Sequence, residues 1–104
     1  MTRTTAPLNA FRIIAAELAD WADAADQEGH RSYAQACADL GLVYLEFEDA
    51  DTTHPRVTTA WCAAESARMS LTDGTGIEAR ARTSRARLHL ALARREQSAD
   101  LSNT

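Results

Sequence analysis

Residues 33–47 read Tyr-Ala-Gln-Ala-Cys-Ala-Asp-Leu-Gly-Leu-Val-Tyr-Leu-Glu-Phe, and this stretch decides the fold. Wound into a helix it carries two apolar stripes, Tyr33, Ala36, Cys37, Leu40, Val43, Tyr44 and Phe47 on one side and Ala34, Ala38, Gly41, Leu42 and Leu45 on the other. Gln35, Asp39 and Glu46 leave a narrow polar seam. A helix that is apolar around most of its circumference has to be enclosed by neighbours. The segment Ser32 to Asp51 is therefore expected to be a central rod surrounded by the other helices.

Working outward, Pro7 suits a first helical turn, and Leu8, Phe11, Ile14, Ala15, Leu18, Trp21, Ala22 and Ala25 recur at three-and-four spacing up to a stop at Gly29. Ser32 with Gln35 predicts a capping box for the second helix, and the short link forces an antiparallel hairpin. Thr53 or His54 caps a third helix opened by Pro55, with Val57, Ala60, Trp61, Ala64, Ala67 and Leu71 as its stripe. Asp73-Gly74 ends it, and Thr75 with Glu78 predicts a second capping box. The fourth helix has two candidate apolar sides, Ile77, Ala81, Leu88 and Leu92 or Ala79, Ala86, Leu90 and Ala93; the second is expected to stay open for a partner. The fold class is thus all-α, a four-helix bundle or two stacked antiparallel hairpins, with helices over about 7–28, 33–49, 55–72 and 76–97. Residues 7–97 read as one helical domain, and 1–6 and 98–104 as flexible tails.

The 104 residues suffice for one modest core. No apolar run approaches the roughly 18 residues of a membrane span, and Met1 to Pro7 lacks the build of a signal peptide. The expectation is a cytoplasmic protein with no membrane partner. Cys37 and Cys62 lie in alanine-rich helices and suit buried apolar roles better than a disulfide. Residues 1–51 carry ten acidic side chains against three arginines, a balance of −7, whereas residues 52–104 carry five against eight, a balance of +3. Internal neutralisation between the halves is the simplest use of that split. Alanine fills 22 positions, which favours close helix approach and leaves few large apolar side chains.

In the second helix Leu40-Gly41-Leu42-Val43-Tyr44, and in the third Ala60, Ala64 and Ala67, resemble the tetratricopeptide pattern over residues 34–71. The resemblance implies a hairpin of these two helices, closest at Gly41, that binds a protein or peptide in a groove. The connection between them is longer than that pattern allows, and no second copy of the motif follows.

Glu46, Glu48, Asp49 and Asp51 crowd a helix C-terminus, where carboxylates are disfavoured, so positive charge should lie nearby. With His54 they offer oxygen and nitrogen donors but match no calcium-loop spacing, and no metal or cofactor is expected. Arg82, Arg85 and His89 share a face, and the Arg82 to His89 spacing is similar to the arginine–histidine pair of the HEPN ribonucleases, implying phosphate binding by Arg82 and acid–base cleavage by His89. Three histidines and eleven arginines yield about one such spacing by chance. Six arginines from Arg80 to Arg95 could meet a nucleic acid, yet the chain is acidic overall and lacks a stacking platform, which argues against nucleic acid as the partner.

No catalytic residues are assigned. The leading expectation is a non-enzymatic helical protein–protein interaction module that binds a protein partner, its own copy included as a homodimer. Its candidate contacts are acidic (Asp20, Asp23, Glu46, Glu48, Asp49, Asp51), or on the fourth helix (Arg80, Arg87, Leu90, Arg94). The alternatives are a small acidic regulator of the anti-CRISPR kind, from a mobile element and acting on a host nucleic-acid-binding complex, and a HEPN-like ribonuclease or nucleic-acid-binding helical protein. In the regulator version the acidic face would extend through Asp26 and Glu28.

Overall fold

The computed structural model of the protein describes residues 6–102, with side chains over 10–98. Four helices account for nearly all of it: α1 (Ala6–Gln27), α2 (Arg31–Glu46), α3 (Pro55–Thr72) and α4 (Gly76–Ser102), with one 3-10 turn, Phe47–Asp49, closing α2. The helix α4 runs past its expected end at 97, through residues 98–102. Residues 1–5 and 103–104 of the expected tails lie outside the described residues.

Each hairpin is set by a glycine. Gly29 (φ 84°) and Gly74 (φ 83°) take the left-handed conformation that closes a helix with paired backbone bonds, His30 N to Ala25 O and Thr75 N to Ser70 O. Neither predicted capping box forms. The helix α2 starts at Arg31, so Ser32 is already inside the first turn, and Gln35 donates to Asp39 instead. The Thr75 hydroxyl donates back to Ser70 O (2.9 Å) and Glu78 lies 3.7 Å from Arg82. The start of α3 is as expected: Pro55 is in the first turn, and His54 Nδ1 accepts from Arg56 N at 3.0 Å.

Antiparallel α1 and α2 form one hairpin, α3 and α4 the other, and the hairpins meet mainly through α2 against α4. Phe11 against Trp61 and Glu17 against Arg68 show that α1 and α3 run the same way. Tyr33 against Gly76 and Glu46 against Arg94 show the same for α2 and α4. The result is a slab of 52 × 34 × 18 Å, two helix layers thick. The core is Leu18, Cys37, Leu40, Val43, Tyr44, Phe47, Val57 and Leu71 with a bed of buried alanines. Phe11, Tyr44 and Phe47 each meet Trp61 edge-on and tilt against one another, with ring centroids 5.4–6.0 Å apart, at the end where α1 and α3 begin.

Three expectations are corrected. The helix α2 touches all three neighbours, but Gln35, Ala38, Leu42 and Leu45 are exposed, so the rod is enclosed on only part of its circumference. α1 and α4 take its flanks and α3 its inner side, and no further helix among the described residues covers the rest. Gly41 meets α1, at Ala15 and Leu18, and not α3. Cys62 is exposed while Cys37 is buried, and Trp61 is 36% exposed.

Candidate interaction surface

The helix α4 presents the side opposite to that expected. Ala79, Thr83, Ala86, Leu90 and Ala93 are buried, whereas Ile77, Ala81, Ser84, Leu88 and Ala91 face out. Leu90 is a core residue and is withdrawn as a partner contact. The reason is close approach: a strip of alanines lets α4 seat against α2 and α3, and the bulk of Ile77 and Leu88 would hold the helices apart. Thr83 fits that strip because its hydroxyl bonds Ala79 O at 2.7 Å.

Because α2 and α4 are parallel neighbours, their outward sides form one surface. Leu42 (59% exposed) and Leu45 (41%) make a ridge on α2, and Leu88 (58%) with Ser84 and Ala91 a ridge on α4. On the side of α4 toward α2 lies a furrow of about 370 Å³, lined by Ser84, Arg87, Leu88, Ala91 and Arg94 of α4 and by Glu46 of α2. Glu46 and Arg94 close one end of it with an ion pair at 3.5 Å. A surface of this kind can accept a helix lengthwise, apolar ridge into furrow.

The acidic end of α2 is answered from two sides. Arg94 reaches Glu46, and Arg12 of α1 reaches Glu48 at 2.6 Å. Asp51 accepts from the Thr53 hydroxyl, the Thr53 backbone and Gln97. These bonds, the Thr53 hydroxyl above all, hold its carboxyl below the usual carboxylate range. Asp49 stays exposed, as do Asp20 and Asp23 on the outer side of α1, away from this cluster in the other layer. Charge from the two halves of the chain is thus partly cancelled inside the monomer, also through Glu17 and Arg68 at 3.7 Å.

Arg82 and His89 turn toward α3. Arg82 donates to Ser70 Oγ at 2.5 Å, and His89 Nδ1 lies 3.4 Å from the Arg56 guanidinium. Arg56 is also bonded to Glu96 at 2.6 Å, and His54 Nε2 is 3.2 Å from the same carboxylate. With His54 Nδ1 accepting a backbone proton, the ring proton sits on Nε2 and points at Glu96. Each of these groups has a partner that locks α3 to α4. Arg80, Arg85, Arg87 and Arg95 are exposed.

A second concavity lies at the hairpin end, an open groove between Trp21, Tyr33, Leu71 and Ile77. Tyr33 spans it, donating to Leu71 O at 2.6 Å. Among the described residues no group of His, Cys, Asp and Glu side chains is arranged to hold a metal ion. No helix among them is long and apolar enough to cross a membrane.

The Leu42–Leu88 surface was not legible in the sequence, because both sides of α4 carry comparable apolar content. The usable signal was size: the side with the smaller residues goes inward where helices pack closely. The fold and surface together define the protein as an all-α, two-hairpin protein with an open two-helix face. Comparison with known families, curated proteins and solved structures finds no match.

Proposed function

We propose that this protein is a non-enzymatic helical protein–protein interaction module whose docking surface is the outer face of α2 and α4. One observation carries the reading. Leu42 and Leu88 are each more than half exposed on adjacent parallel helices, while Leu40, Val43 and Tyr44 on α2 and Ala86 and Leu90 on α4 take the inward positions. Burying a leucine is worth about 1.5–3 kcal/mol. Single exposed apolar side chains are common, but apolar ridges along two neighbouring helices, rimmed by charge, are the composition of a partner surface. The titratable groups nearest one another, Glu96, Arg56, His54 and His89, are spent on joining α3 to α4, which further supports binding over chemistry.

The test is face-dependent capture. Tagged wild-type chain is compared in native extract with a Leu42→Glu, Leu88→Glu variant and with Met69→Glu, a control on exposed α3 surface. The expected result is a bound protein, a differently tagged copy of this chain included, that the double variant loses and Met69→Glu keeps. Identical capture by all three would overturn the reading.

A further inference from the structure

We infer that the occupant of the α2/α4 face is an amphipathic helix of another protein, acidic on both flanks of its apolar stripe. This rests on the interaction reading above and names the chemistry of the partner.

The chain carries a net charge of −4, yet this face is basic. Along the seam between the two helices Arg80, Arg87 and Arg94 recur every seven residues on α4, and Asp39 and Glu46 recur in the same step on α2. Glu46 meets Arg94 at 3.5 Å, and Asp39 stands toward Arg87 one heptad earlier. The seam is thus answered within the chain, apart from one arginine more than it has carboxylates.

Beyond the seam the charges of the open side are arginines. Arg31 stands eleven residues before Leu42, about three turns back on the same line of α2, and Arg95 seven after Leu88, about two turns on along α4. Arg85 flanks Leu88 on the side away from α2. All three are exposed, and none makes an ion pair among the described residues. Glu78 lies further round, toward α3, where Arg82 answers it at 3.7 Å. From there to Glu96, α4 carries no acidic residue.

Positive charge without an internal partner calls for a negative one outside. The apolar side chains decide its class. Leu42, Leu45, Ile77 and Leu88 are exposed along the same face, and a phosphate backbone offers them nothing to bury against. The face has no aromatic side chain on which a base could stack. A helix with apolar residues at three-and-four spacing fills the ridges, and glutamates or aspartates beside its stripe reach the arginines.

Fluorescence anisotropy tests this with a labelled synthetic peptide of about 18 residues, a length of about 27 Å as a helix, with leucines at three-and-four spacing and glutamates elsewhere. The wild-type chain is expected to bind it roughly tenfold or more tightly than the same peptide with lysines for glutamates, and more weakly as salt rises. The Arg31→Glu, Arg85→Glu, Arg95→Glu variant is expected to weaken binding by roughly tenfold or more, with helical circular dichroism retained. Lysine at the same three positions should keep the preference, and Leu42→Glu, Leu88→Glu should lose the peptide. No binding, equal binding of the two peptides, or indifference to the arginine reversals would overturn the inference. So would a single-stranded oligonucleotide of equal charge that displaces the peptide while needing the arginines and not the leucines. Capture from extract that needs Leu42 and Leu88 but ignores the three arginines would overturn the acidic partner and leave the interaction module standing. Loss of face-dependent capture together with no peptide binding would sink both.

Discussion

Gly41 of α2 lies over the backbone of α1 at Ala15: a Cβ placed there would stand 3.6 Å from the Ala15 carbonyl oxygen and 3.7 Å from Leu18 Cβ. Those are ordinary contact distances, so the helices are close without needing glycine at this point. Glycine inside a helix costs about 1 kcal/mol relative to alanine. Gly41→Ala is therefore expected to stabilise the fold by up to about 1 kcal/mol, a rise of roughly 4–8 °C in melting temperature for a domain of this size. Gly29→Ala should lose about 1–2 kcal/mol, since φ 84° is a left-handed conformation. Thermal melts of the two variants check both signs, and a destabilised Gly41→Ala would mean the hairpin is tighter than described.

The inward side of α4 can be tested by a neighbouring pair of leucines. Leu90, 4% exposed, should cost about 2–5 kcal/mol when replaced by alanine, through lost burial and the cavity left. Leu88→Ala should stay within about 0.5 kcal/mol, as expected of a surface site. Urea unfolding of the two variants measures this, and reversed costs would put the opposite side of α4 in the core.

Tyr44 is fully buried and donates to the Glu65 carboxylate, joining α2 to α3. Burial first, and the bond to Glu65 second, push its phenol above the ordinary tyrosine value of 10.0. A proton held more tightly in the folded state stabilises that state below the unfolded value and is lost as pH rises toward the folded one. Stability should therefore fall as the pH climbs above about 10. Tyr44→Phe should cost about 1–3 kcal/mol at neutral pH, the worth of a hydrogen bond to a charged group, and should flatten the alkaline decline. Denaturant midpoints for both proteins from pH 8 upward give the comparison; parallel curves would separate the alkaline loss from Tyr44.

Glu96 receives Arg56 at 2.6 Å and faces His54 at 3.2 Å, which ties the start of α3 to the far part of α4. The carboxylate is about half exposed, so solvent discounts the pair. Glu96→Ala should cost about 1 kcal/mol, and a double-mutant cycle with Arg56→Ala should return a coupling of about 0.5–1 kcal/mol. A coupling of zero would make the contact ornamental.

The helices and their turns were open to reading from local chemistry. Pro55, Gly29 and Gly74 act through their own backbone preferences, and the three-and-four recurrence of apolar residues in 11–25 and 57–71 needs no partner to be recognised. The capping boxes failed for a different reason at each end. Arg31 had already opened α2 ahead of Ser32, and Thr75 completes the end of α3, its amide and hydroxyl both meeting Ser70 O.

By itself, the amino-acid order determined four helices in two hairpins turned at glycines, with an acidic first half and an arginine-rich second. Those properties follow from backbone propensity and composition, which each residue carries regardless of its neighbours in space. Only the tertiary structure decided which side of α4 is buried, that Gly41 meets α1, and that Leu42 and Leu88 share an open face. These depend on how nearly two helix axes can approach, a matter settled by the summed bulk of facing side chains from distant parts of the chain.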